Sequence, residues 1–123
     1  MKREDFDGLI RRAIHGLPKG FRRRLKNVVI EIQDDPSPAD RRRLRLRPGQ
    51  TLFGLYEGVP LTMRNATDLY PLLPDKITIY QGPLERACDT EDEIITQVRD
   101  TVKHEVGHFF GLSEEELKGG LEY

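Results

Sequence analysis

The sequence predicts a small domain of α/β (α+β) class, in which amphipathic helices accompany short β-strands. Two observations lead to this prediction. Apolar residues recur at helical spacing near both ends of the chain, and short β-branched runs stand between them. A length of 123 residues suits one domain with one core. We therefore expect a single domain over residues 1–123.

Residues 4–16 predict the first element, an amphipathic helix with apolar residues at helical spacing and charged residues between them. Gly16 and Pro18 are typical of its end. A short second helix or helical turn is expected over residues 18–26, where Phe21 and Leu25 stand four positions apart.

β-Branched and alternating runs predict three strands, at residues 28–32, 51–56 and 76–81. Residues 39–50, rich in arginine, have no clear pattern. After the second strand, residues 59–62 continue as an extended segment and residues 65–74, which contain two prolines, predict a loop. Gly82 and Pro83 end the third strand. We expect this strand to form a sheet edge that could pair with an extended substrate.

The last helix has the strongest boundary signals. Thr90 followed by Glu93 forms a capping box, and the acidic first turn suits the positive end of the helix dipole. Gly111 supplies a residue that can close the other end. A helix over residues 91–110 would be about 30 Å long, enough to cross a small domain.

This helix contains His104-Glu105-Val106-Gly107-His108, an HExxH motif. Positions four apart share a helical face, so the two imidazoles can bind one Zn²⁺. A separate stripe is expected to face the core, formed by Ile95, Val98, Val102, Val106 and Phe109. The histidines point roughly 120° to 160° away from that stripe, so they face a site rather than the core.

Zinc held by His104 and His108 needs one more protein ligand and an open position for water. Only residues 109–123 follow the motif, which leaves little room for a ligand on a distant later helix. Gly111 permits a turn that would bring Glu114 back to the metal, with Glu115 and Glu116 as alternatives. The same segment is also typical of a capped helix start, and both interpretations can hold together.

A zinc site of this composition predicts peptide hydrolysis. The metal would activate a water molecule, and Glu105 would accept the proton as general base and pass it to the leaving amine. A donor to the developing oxyanion is also expected. Tyr56, Tyr80 and Tyr123 are the candidates, and the sequence does not choose among them.

Four stretches, at residues 25–30, 54–62, 75–84 and 102–114, resemble the bacterial zincin-like metallopeptidases with a minimal metalloprotease domain. The resemblance implies a zincin-like minimal metalloprotease fold with a small mixed β-sheet and flanking helices. It also implies a zinc cofactor bound by His104 and His108, Glu105 as base, and an acidic third ligand, Glu114, in HExxHxxGxx(D/E). The larger metzincins instead have a histidine at this last position and a downstream methionine turn.

Two other functions compete with a peptidase. A binding or regulatory protein could keep the zincin fold with a structural or vestigial metal site. Nucleic acid could bind the arginines within residues 22–24 and 41–47. However, 21 acidic residues offset 20 basic ones and aromatic residues are not interleaved, so a peptide or protein is the expected partner.

Composition also predicts the location of the protein. Charged residues make up 33% of the chain, and no apolar run approaches the roughly 20 residues that a membrane span needs. The charged start, Met1 to Asp5, differs from an apolar signal peptide, so we expect a cytoplasmic protein. Cys88 is the single cysteine, which excludes an intrachain disulfide and a thiolate pair for a metal. The oligomeric state is left open.

Overall fold

A computed structural model describes residues 1–58 and 75–110, with side chains up to residue 108, and has the α+β class that the sequence predicts. Its helices are α1 (Arg3–His15), α2 (Lys19–Arg24), α3 (Pro38–Arg43), α4 (Gln81–Ala87) and α5 (Glu91–Phe110). Its strands are β1 (Val28–Gln33), β2 (Gly54–Glu57) and β3 (Asp75–Tyr80). None of these described helices is long and apolar enough to cross a membrane.

The described strands form one mixed sheet in the order β1-β3-β2. β3 pairs in parallel with β1 and antiparallel with β2. The third predicted strand is therefore central, and the expectation that it forms a substrate-pairing edge is wrong. Alternation of Ile77 and Ile79 predicts a strand, but strand order depends on contacts with distant segments.

The main core lies on one face of this sheet, where α5 packs against β2, and α1 and α2 pack against α5. Ile77 and Ile79 of β3 are fully buried there. The predicted stripe of α5 is buried at four positions, Ile95, Val98, Val102 and Val106. The fifth position, Phe109, lies beyond the described side chains. Helical periodicity thus gives the correct face of α5 toward the core.

α5 is also fixed against the end of α1. The Arg99 Nε–H donates to the Ala13 carbonyl at 3.5 Å, which places a cation at the negative end of the α1 dipole. Gly16 makes room for this arrangement, because a Cβ at that position would overlap the Arg99 guanidinium. The contact holds the helix that carries the motif.

Two short helices have, in their first turn, a proline that resembles a breaker in the sequence. Ser37 caps α3, accepting a hydrogen bond from the Asp40 N–H at 3.0 Å, and Pro38 opens the helix. α4 follows β3 directly, with Pro83 in its first turn, where a missing N–H costs nothing. β3 ends at Tyr80, one residue before the predicted end at residue 81, and Gly82 and Pro83 lie within α4. The predicted segments 59–62 and 65–74 lie outside the described residues.

Candidate metal centre

α5 begins with the Thr90 cap that its sequence predicts. The Glu93 N–H donates to the Thr90 hydroxyl at 3.1 Å, and the Glu93 carboxylate accepts from the Asp89 N–H at 3.1 Å. The first bond is the predicted cap and satisfies an N–H of the first turn, whereas the Glu93 carboxylate binds the N–H of Asp89, one residue before the Thr90 N–H that a capping box would use. A capped start and a buried stripe together fix which side of α5 faces solvent.

His104 and His108 lie side by side on that outer surface. Both side chains are exposed, whereas Val102 and Val106, which alternate with them, are fully buried. The two imidazole rings have centroids 6.2 Å apart and planes inclined by 27°. Zinc–nitrogen bonds of about 2.0–2.1 Å place the centroid of a ligating ring about 3 Å from the ion. Two rings bound at the tetrahedral angle to one ion would therefore have centroids about 5 Å apart. The observed separation is about 1 Å longer, and rotation of the exposed rings about their side-chain bonds would shorten it.

Glu105 lies between the histidines and the sheet, and its side chain is half-buried. Its Oε1 accepts a hydrogen bond from the Tyr56 backbone N–H of β2 at 2.9 Å. Tyr56 can donate there because β2 is an edge strand of the sheet within residues 1–58 and 75–110. The Tyr80 N–H donates to the Phe53 carbonyl, so alternate residues of β2 face β3 and Tyr56 N–H points outward. Glu105, on the helical turn that carries His104 and His108, thus accepts a hydrogen bond at the sheet edge.

Gly54 allows β2 to come this close to α5. A Cβ at Gly54 would lie 3.0 Å from Thr101 Cγ2 and 3.0 Å from the Thr78 carbonyl oxygen. Because the strand position has no side chain, α5 packs directly on it, and Tyr56 two residues later reaches Glu105. Sequence reasoning missed this role, although a glycine inside a strand is a known signal of close approach.

Of the predicted ligands, the described residues include only the histidine pair. Across residues 1–58 and 75–110, no group of three or more His, Cys, Asp or Glu side chains is placed to hold a metal ion. Glu114 and its alternatives, Glu115 and Glu116, lie outside these ranges. The third ligand therefore stays a sequence prediction, while the two described imidazoles form a donor set that suits zinc.

The structure separates the candidate tyrosines. Tyr80 is buried on the sheet face opposite Ile77 and Ile79. Burial, reinforced by the charges of Asp40 and Glu57, raises the pKa of its hydroxyl. Tyr80 therefore cannot serve a site on α5.

Tyr56 packs on the core side of the sheet, and its hydroxyl donates to Asp75 Oδ2 at 2.7 Å. This hydroxyl is therefore directed at a carboxylate of β3, whereas its backbone N–H is directed at Glu105. Tyr123 lies outside the described residues.

Comparison with known proteins identifies the family of this chain. The sequence profile of zincin-like metallopeptidases matches residues 25–120. The chain belongs to the zincin-like metallopeptidase family. This match confirms the resemblance drawn from the four sequence stretches. Membership supports a metallopeptidase and a zinc cofactor in general terms.

A solved structure shows the same fold. It is a conserved hypothetical protein from Thermo thermophilus, 22% identical in sequence, and the two align with a TM-score of 0.59. The alignment covers 96% of this chain and 98% of the other. No curated protein matches the chain.

Proposed function

We propose that this protein is a zinc-dependent metallopeptidase that hydrolyses peptide bonds. His104 and His108 bind the metal, Glu114 is the third ligand and Glu105 is the general base. The observation that carries the proposal is the exposed histidine pair with Glu105 held beside it by the Tyr56 N–H. Family membership supports the same reaction class.

Zinc held by His104, His108 and Glu114 would supply Lewis acidity, which would lower the pKa of water and polarise a carbonyl group. The side chains and one backbone N–H of the protein would hold the metal and move the proton. His104 and His108 present ring nitrogens from one helical face. Glu105 accepts a proton at a carboxylate oxygen and returns it to the leaving amine. The Tyr56 N–H restrains that carboxylate through Oε1, so the base keeps its orientation between turnovers.

The decisive experiment combines zinc analysis with a matched pair of variants. Protein purified without chelators should contain zinc, and Glu105→Gln should contain as much as the original protein. Glu105→Gln should cleave an unfolded protein substrate about 10² to 10⁴ times more slowly, because glutamine cannot accept the proton. His104→Ala should lose the metal.

Absence of zinc in the original protein would refute the metal site. Full zinc content without cleavage that depends on Glu105 would instead favour the alternative, a zincin-fold binding or regulatory protein. Alanine variants of Glu114, Glu115 and Glu116, compared by zinc content, would identify the third ligand. We expect Glu114→Ala to lose the most zinc.

A further inference from the structure

A concentrated positive surface lies on the outer side of α2. Lys19, Arg22, Arg23 and Lys26 line a shallow cavity of about 320 Å³, and every side chain that lines it among the described residues is cationic. All four residues are exposed. Since the whole chain has a net charge of −1, this charge is a local feature of α2. We refer to these four residues as the α2 basic surface.

Helical spacing explains how this surface forms. Lys19, Arg22 and Arg23 lie on one side of α2, and Lys26 follows in the turn directly after the helix. Phe21 and Leu25 occupy the other side and are buried in the core. Phe21 has no exposed area, so its ring cannot stack on a ligand beside these cations.

α2 packs against α5 near the histidine pair. Lys103 directly precedes His104, and its Nζ lies 5.9 Å from the centroid of the Phe21 ring of α2. On α5, Lys103 therefore flanks the histidine face on one side, whereas Glu105 and β2 flank it on the other. The side of α5 that carries Lys103 therefore faces α2.

We propose that the α2 basic surface binds acidic polypeptide segments and so directs acidic substrates to the histidine pair. The second half of this statement rests on the proposed peptidase function, but the binding itself does not. Charge complementarity supports an acidic ligand. A polypeptide fits better than single-stranded nucleic acid, which commonly uses exposed aromatic rings as stacking platforms beside the positive charge. The only ring among the described α2 residues is buried.

The test measures binding to the metal-free, full-length protein, so it does not depend on catalysis. Fluorescence anisotropy would compare a peptide rich in Glu and Asp with its Gln and Asn counterpart. We expect the acidic peptide to bind at least about tenfold more tightly, with affinity falling as salt rises. Arg22→Glu with Lys26→Glu should weaken binding of the acidic peptide by about tenfold or more. Arg22→Gln with Lys26→Gln should have a smaller effect.

A matched control carries the same change in charge elsewhere. Arg42→Glu with Arg47→Glu alters two exposed arginines in and after α3, and should leave binding nearly unchanged. Thermal unfolding monitored by circular dichroism would establish that each variant is folded. Equal affinity for both peptides, or equal losses in the control, would overturn the proposal. Tighter binding of an oligonucleotide of equal charge would also overturn it and assign the surface to nucleic acid.

Cleavage then separates the two proposals. If the protein cleaves peptides, the Arg22 and Lys26 double variants should raise KM for acidic peptides and leave kcat unchanged, because neither residue touches the reacting atoms. If binding behaves as expected but no cleavage occurs, the α2 basic surface stands and the peptidase proposal falls. If cleavage occurs without any preference for acidic peptides, the peptidase proposal stands and the role of the α2 basic surface in directing substrates falls.

Discussion

Gly54→Ala tests whether close packing of β2 on α5 positions the proposed base. The new Cβ would lie 3.0 Å from Thr101 Cγ2, 3.0 Å from the Thr78 carbonyl oxygen and 3.2 Å from Ile79 Cδ1. Ordinary carbon contacts are about 3.5–4.0 Å, so β2 or α5 must move by several tenths of an ångström. The Thr78 oxygen belongs to the central strand and cannot easily give way.

Overpacking of this kind costs about 1–3 kcal/mol. Replacing glycine also restricts the unfolded chain, which returns about 0.4–1 kcal/mol. We therefore expect a net loss of about 1–2 kcal/mol in the free energy of unfolding, measured by urea titration. Peptide cleavage should fall as well, because the shift separates the Tyr56 N–H from Glu105.

Thr101→Ser provides the second arm of a double-mutant cycle. It removes Cγ2 but keeps the hydroxyl, which accepts a hydrogen bond from Gln97 Nε2 at 3.4 Å. Gly54→Ala should cost less in this background by about 0.5–1 kcal/mol, with the contact to Thr78 remaining. Gly8→Ala is the control for replacing a glycine by alanine where there is space, since a Cβ at Gly8 meets nothing within 4 Å. This variant should stabilise α1 by about 0.5–1 kcal/mol. A neutral Gly54→Ala, or no coupling to Thr101, would refute the packing argument.

Three further predictions concern other parts of the structure. Gly82→Ala should lower the free energy of unfolding by about 1–3 kcal/mol in urea titration, because its Cβ would lie 2.7 Å from the Asp34 carbonyl oxygen; unchanged stability would contradict this. A hydrogen bond from Gln81, then the N-terminal ammonium, lowers the pKa of Glu85 in the folded state. Its contribution, under about 1 kcal/mol, is present above the unfolded pKa and is lost as pH falls through the folded pKa. The stability difference between the original protein and Glu85→Gln should therefore shrink on acidification from pH 7 to pH 3, and a constant difference would be inconsistent with this linkage. Burial, then the charges of Glu93 and Asp89, raises the pKa of the Cys88 thiol, so iodoacetamide should react with it more slowly at neutral pH than with an unfolded control; equal rates would exclude this shift.

Local signals in the sequence predict much of the candidate site. Capping residues and periodicity give the bounds of α5 and the outward direction of His104 and His108, because both depend on residues within a few turns. The central place of β3 could not be predicted in this way. It depends on pairing with β1 and β2, which are far away in sequence.

The hydrogen bond between Tyr56 and Glu105 is even harder to predict from the sequence than the strand order. It joins residues 49 positions apart and uses a backbone N–H, which every residue except proline has. Only Gly54 hints that β2 approaches another element. A different reason explains why the sequence does not predict α3 and α4. Pro38 and Pro83 suggest the end of an element, although the first turn of a helix accepts proline.

The hydrogen bond between the Tyr56 N–H and Glu105 also affects how readily the protein self-associates. An outward N–H on an edge strand invites pairing with a strand from another molecule, and here a carboxylate covers it. Glu105→Gln keeps an oxygen acceptor at that edge, whereas Glu105→Ala leaves the N–H exposed. The alanine variant should therefore be more prone to self-association than the glutamine variant. The Glu105 side chain is thus both the proposed base and the group that covers the exposed N–H of the sheet edge.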